Sequence, residues 1–141
     1  MTRDKIIFID TAPFIYYIEN HPKFAGKVEK YLSENLFLDS NFVTSVITYM
    51  EYCVIPERER REDLILKFDE LLLRLPVEIK EISLPLARSA SKLRAKYKFL
   101  KGLDALQLAL AIQDNCDEFL TNDSALLPIK EIKIVLLEKI K

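Results

Sequence analysis

Short unbroken apolar runs alternate along the chain with longer stretches in which apolar residues return every three or four positions. The first run, Ile6 to Ile9 in "KIIFIDTAPFIYY", predicts a strand buried on both faces. "TAPFIYYIEN" and "PKFAGKVEKYLSEN" follow with helical spacing, with Thr11 as N-cap and Pro13 accommodated in the first turn. Beyond them the pattern predicts a strand over "FVTS", helices over "VITYMEYCVI" and "EDLILKFDELLLRL", and a strand over "VEIKEI". Helices over "LPLARSASKLRAKYKF" and "LDALQLALAIQDN" and strands over "EFLT" and "IKIVLLE" complete the chain. Buried strands separated by helices predict an α/β fold, a mainly parallel sheet covered by helices on both faces. Ligands of such folds bind beyond the carboxyl ends of the strands.

Length and composition narrow the classes open to it. At 141 residues, half of them hydrophobic, the chain suits a single domain spanning 1–141. Two glycines and the absence of Gly-, Ser- or Pro-rich stretches leave no place for a flexible linker, and no internal repeat is visible. The first residues lack the features of a leader, and no apolar run approaches the roughly 18 residues of a membrane span, which predicts a cytoplasmic protein. Cys53 and Cys116 lack CxxC or CxxH partners and read as buried thiols. His21 is the only histidine, so a histidine-rich metal site is excluded. Carboxylates must carry any chemistry.

Four carboxylates stand where a solvated acid is out of place. Asp10 and Asp123 each follow a predicted strand directly, at the edge where ligands bind. Glu51 shares a helical face with Ile47, Val54 and Ile55, and Asp104 shares one with Leu108 and Ala111 on a helix apolar all round. Each also has a purely structural reading: Asp10 or Asp104 as a helix cap or dipole partner, Asp123 as a turn residue. If the four converge, two carboxylates ~5 Å apart at an effective dielectric of ~20 repel by roughly 3 kcal/mol, and four make six such pairs. Either some protonate or a divalent cation joins them. An all-oxygen donor set suits Mg²⁺ or Mn²⁺, which favours phosphoryl chemistry on a nucleotide or nucleic acid.

The charge balance, 21 basic against 22 acidic residues for a net of −1, excludes a broad cationic surface. A local patch remains: Arg88, Lys92 and Lys96 fall four apart on one helical face, with Arg94, Lys98 and Lys101 nearby. It reads either as a solvated face or as a rim for a nucleic-acid backbone. "PERERRED" reads as a solvated helix start. "FIYYIE" places Phe14, Tyr17 and Ile18 beside Ile15 and Tyr16, more apolar width than a sheet-facing stripe requires, so part of it is expected to meet a partner.

Taken in order, "FIDTAPFIYYIENHPKF", "VTSVITYMEYCVIP", "LDALQLALAI" and "FLTND" resemble the PIN-domain ribonucleases, most closely the VapC-type toxins of toxin–antitoxin pairs. The resemblance runs nearly end to end. It implies a PIN-like three-layer α/β/α fold with strand order 3-2-1-4-5, a homodimer and a small inhibitory antitoxin. It implies that Asp10, Glu51, Asp104 and Asp123 form the metal site, and that Thr11, Thr121 and Asn122 support it by orienting ligands and waters. The expected function is hydrolysis of RNA phosphodiester bonds by a Mg²⁺- or Mn²⁺-dependent endoribonuclease leaving 5′-phosphate and 3′-hydroxyl ends, with Arg88, Lys92, Lys96 and Lys101 holding the RNA. The alternative is a catalytically silent PIN-like module that binds RNA or protein. A haloacid-dehalogenase-type phosphatase would need an Asp two residues after Asp10, where Ala12 stands.

Overall fold

The computed structural model describes residues 3–141; Met1 and Thr2, on which the leader reading partly rests, lie outside them. Five strands form one all-parallel sheet in the order β3-β2-β1-β4-β5. They are β1 (Ile6–Ile9), β2 (Asn41–Ser45), β3 (Val77–Lys80), β4 (Glu118–Thr121) and β5 (Lys133–Leu136). Six helices cover it: α1 (Thr11–Ile18), α2 (Ala25–Phe37), α3 (Val46–Arg58), α4 (Glu62–Arg74), α5 (Leu84–Lys96) and α6 (Gly102–Gln113).

Strand alternation divides the interior into two layers. Ile7 and Ile9 of β1 join Phe14, Val28, Phe42, Tyr52, Phe68 and Leu120 on the face covered by α1 to α4. Phe8 joins Val43, Leu86, Leu93, Leu108 and Phe119 on the face covered by α5 and α6. Phe8 and Phe119 sit in register on β1 and β4 and their rings stack at 5.0 Å. Burial of β1 on both faces is the reason for its unbroken apolar run.

With so few glycines, other residues end the helices. Asn20, Asp39, Arg60 and Asn115 adopt left-handed φ values of 53°, 59°, 55° and 56° just after α1, α2, α3 and α6. Each termination places the following amide on the carbonyl five residues back, as in His21 N to Tyr16 O and Cys116 N to Ala111 O, both 2.9 Å. Asn and Asp tolerate this conformation better than other non-glycine residues.

Several local expectations need correction. Asp10, not Thr11, caps α1: its Oδ1 accepts from Thr11 N at 2.8 Å. Helix α3 runs on through Pro56 to Arg58, so "PERERRED" is mostly a helix end and connection, with α4 starting only at Glu62. The last strand stops at Leu136 and gives way to a single 3-10 turn. On α3 the inward face carries Ile47, Thr48, Tyr52 and Pro56, while Val54 and Ile55 are 38% and 46% exposed. The apolar stripe assigned to Glu51 is therefore mostly a surface stripe. Packing of the Tyr52 ring on Phe68, 4.1 Å between centroids, sets which face turns inward. The two cysteines are free and half-buried, and burial pushes the Cys116 thiol up to about 12, leaving it protonated at neutral pH.

Candidate active site

Asp10 leaves β1 at the carboxyl edge, and its amide still bonds Leu120 O of β4 at 2.9 Å. That pairing fixes its backbone beside Thr121. Three donors then hold its carboxylate: Thr11 N at 2.8 Å and Gln107 Nε2 at 3.1 Å on Oδ1, and Thr121 Oγ1 at 2.8 Å on Oδ2. Burial raises its pKa, the hydrogen bonds from Thr121 and Thr11 oppose that, and the charge of Glu51 adds to it. Burial thus outweighs the three hydrogen bonds that favour the ionised form.

Glu51 reaches the same region from α3, where Thr11 Oγ1 donates to its Oε1 at 2.6 Å. Asp104 comes from the first turn of α6, whose N-cap is Lys101 with no side-chain cap bond. It is not the cap of its helix. Burial, followed by the charges of Asp10, Asp123 and Glu51, pushes the Asp104 carboxyl up to about 6, with Lys101 opposing. The fields of all four acids thus meet at Asp104. Glu51 and Asp104 line one open cavity of about 600 Å³ with Lys101, Gly102, Leu103 and Leu106.

Asp123 is more exposed, and its Oδ1 accepts from Ala125 N at 3.0 Å, so it also caps a short 3-10 turn. Its own amide donates to Thr121 Oγ1 at 3.1 Å, so the Thr121 hydroxyl ties Asp123 to Asp10. Asn122 does not touch an acid: its Nδ2 donates to Tyr16 OH at 3.2 Å and its buried Oδ1 has no partner. Of the four basic residues expected at an RNA rim, Lys101 alone lines the acid cavity. Lys92 and Lys96 line a separate cavity with Leu93, Ala109 and Glu131, and Lys96 pairs with Glu131 at 3.2 Å. Arg88 is exposed on α5.

The donor set fits a hard divalent cation, since every side chain in it that could ligate with a charge is a carboxylate and the hydroxyls of Thr11 and Thr121 already brace two of them. The spacing is looser than a finished cage: among the described residues, no three His, Cys, Asp or Glu side chains are gathered closely enough to hold an ion as they stand.

Sequence reasoning missed the neutral half of the site. Gln107, Thr48 and Ser45 are all buried and form a bonded group behind Asp10. The signal was present, because Gln107 is the one polar residue within "ALQLALAI", three positions beyond Asp104. A further buried acid, Glu118, opens β4 at the opposite edge and belongs to the scaffold. Burial alone would raise its pKa, but Lys5 at 2.8 Å, the Tyr31 hydroxyl and Lys133 hold it below the usual range.

The family model for the PIN domain matches residues 7–132. No protein of curated function matches the sequence. Among solved structures, the chain is similar to VapBC2 from Rickettsia felis bound to a promoter DNA fragment, at 18% identity and TM-score 0.72, over 93% of this chain and 98% of that one. It is similar to DNA-bound VapBC from Salmonella typhimurium, at 20% identity and TM-score 0.70, over 96% and 99%. It is also similar to VapC20 of Mycobacterium tuberculosis, a toxin cleaving the sarcin–ricin loop, at 14% identity and TM-score 0.67, over 90% and 98%. At these identities the likeness is one of fold.

Proposed function

Because the chain belongs to the PIN-domain family, we propose that it is a single-domain, metal-dependent endoribonuclease acting as the toxin of a toxin–antitoxin pair. The carrying observation is the electrostatic convergence on Asp104: Glu51 lines the same cavity, and burial together with the charges of Asp10, Asp123 and Glu51 pushes the Asp104 carboxyl up to about 6. Asp10, Asp104 and Asp123 would hold one or two Mg²⁺ or Mn²⁺ ions, with Glu51 as a further ligand or as the group that orients water. A bound divalent cation supplies Lewis acidity toward a phosphodiester and acidifies water within its reach. Asp10, restrained by three donors, presents its carboxylate in one orientation. Glu51, held by the Thr11 hydroxyl, would accept a proton from attacking water. Lys101 offers a cation to the RNA backbone at the mouth of the cavity, with Arg88, Lys92 and Lys96 as a more distant basic face on α5.

The structures of similar fold from Rickettsia felis and Salmonella typhimurium are VapBC assemblies, which supports an antitoxin partner; a homodimer would use Ile15, Tyr16, Tyr17 and Ile18 of α1, which pack on the chain's own core and are only partly buried there. Among the described residues no helix is long and apolar enough to cross a membrane.

The looseness of the acid group favours the alternative, a silent module that binds RNA or protein without cutting it. One experiment separates them. A mixed RNA pool is incubated with the purified protein in Mn²⁺, in chelator, and with Asp10→Asn. Cleavage confined to the parent protein in Mn²⁺ is expected; RNA binding without metal-dependent cleavage sinks the ribonuclease reading.

A further inference from the structure

Gln107 is 1% exposed and sits on the inner face of α6, one turn beyond Asp104. Its amide is fully engaged. Nε2 donates to Asp10 Oδ1 at 3.1 Å and to Thr48 Oγ1 at 2.9 Å, and Oε1 accepts from the Ser45 hydroxyl. The Asp10 carboxylate can only accept, so the amide nitrogen must face it and the amide oxygen faces Ser45, whose hydroxyl donates to it while accepting from Ile47 N at 3.1 Å. Thr48 lies 3.5 Å from the Thr11 hydroxyl that holds Glu51. Two carboxylates contributed by different elements therefore rest on one buried neutral group.

A buried amide is retained at such a position only with all its bonds made, because an unpaired polar atom there costs more than the net gain from a formed bond. An apolar residue at this position would strip a hydrogen-bond partner from Asp10, Thr48 and Ser45 at once. What Gln107 adds is direction. With Thr11 N and Gln107 Nε2 both on Oδ1, that oxygen is saturated, while Oδ2 carries only the Thr121 bond. Asp10 is thereby held so that Oδ2, with one bond, is the oxygen left with acceptor capacity. Because Gln107 and Asp104 are three residues apart on one helix, the same bond also sets the distance between the Asp10 carboxylate and the first turn of α6.

We propose that Gln107 is a positioning residue of the metal site, aligning Asp10 against Asp104 through an amide anchored on Ser45 and Thr48. The proposal rests on the metal-dependent reading above. It is tested by Mn²⁺ calorimetry and Mn²⁺-dependent RNA cleavage on the parent, Gln107→Met and Ser45→Ala, with Glu118→Gln as a control that disturbs the opposite edge.

Removing a group that orients a ligand typically weakens metal binding about 10- to 100-fold. Gln107→Met should raise the Mn²⁺ dissociation constant by that factor, with cleavage largely recovered at saturating Mn²⁺. Ser45→Ala should move the constant in the same direction by less. Glu118→Gln should lower thermal stability while leaving the constant unchanged. A folded Gln107→Met that binds Mn²⁺ as the parent does overturns the proposal. If that variant does not fold, Ser45→Ala decides, and parent-like affinity in it has the same consequence. A parent that binds no Mn²⁺ removes the metal reading and the proposal together; a parent that binds and cuts, with both variants matching it, removes the proposal alone.

Discussion

Asp104→Asn removes one negative charge from the acid group while keeping the shape of the side chain. In the folded protein the Asp104 carboxyl is pushed from 3.8 up to about 6 by burial and by Asp10, Asp123 and Glu51. At about 1.4 kcal/mol per pKa unit the full shift would correspond to about 3 kcal/mol. The residue is only half-buried, so solvent screening reduces this to about 1–2 kcal/mol. The sign follows from the direction. A raised folded pKa means that the native state binds the proton more tightly than the unfolded chain. The contribution is therefore fully present below about pH 4 and lost as pH rises through about 6. Urea unfolding of parent and variant in chelator should give near-equal stabilities at pH 4 and a variant more stable by about 1–2 kcal/mol at pH 8. In Mn²⁺ the order should reverse, because only the parent retains the full ligand set, and RNA cleavage by the variant should collapse. A variant destabilised by about 0.5–2 kcal/mol at every pH, as loss of a cap would cause, and still cutting RNA at the parent rate would refute the reasoning.

Glu118→Gln should cost about 1–3 kcal/mol at pH 7, because it removes the charge that Lys5 and Tyr31 satisfy. The depressed folded pKa of Glu118 makes that contribution present above about pH 4.5 and lost on acidification, so the gap to parent in urea unfolding should close toward pH 3. Lys101→Ala should weaken RNA binding and reduce its salt slope by about one, whereas Lys96→Ala, whose amine already pairs with Glu131, should change it less; equal effects in a salt titration would remove Lys101 from the rim. Light scattering at roughly 10–50 µM should give a dimer mass, as expected for an obligate pair. Half-buried Ile15, Tyr16, Tyr17 and Ile18 of α1 are the proposed contact, and a monomer mass would count against it.

Much of the fold was legible because its strands are short and β1 is buried on both faces, so Ile6–Ile9 had to be a continuous apolar run, while β4 keeps only Phe119 and Leu120 apolar between Glu118 and Thr121. The acids at their ends were conspicuous for the same reason. Element ends were harder to read. Pro56 signals a stop, yet α3 carries it inside and ends on the left-handed Arg60, a choice made by the packing of Tyr52 and Phe68.

Composition and spacing by themselves determined an α/β chain with four misplaced carboxylates and no histidine or thiolate cluster, because a period of two or 3.6 residues and the cost of desolvating a charge are both properties of local sequence. Tertiary structure alone decided what surrounds those acids. Lys5 and Glu118, more than a hundred residues apart, pair at one edge of the sheet, while at the other Gln107 crosses from α6 to hold Asp10 on β1. The physical reason is that strand order and helix docking select which neutral side chains reach a buried carboxylate. Hydrogen bonds between residues 62 and 97 positions apart, such as Ser45 to Gln107 and Gln107 to Asp10, exist only once the sheet has brought those elements together.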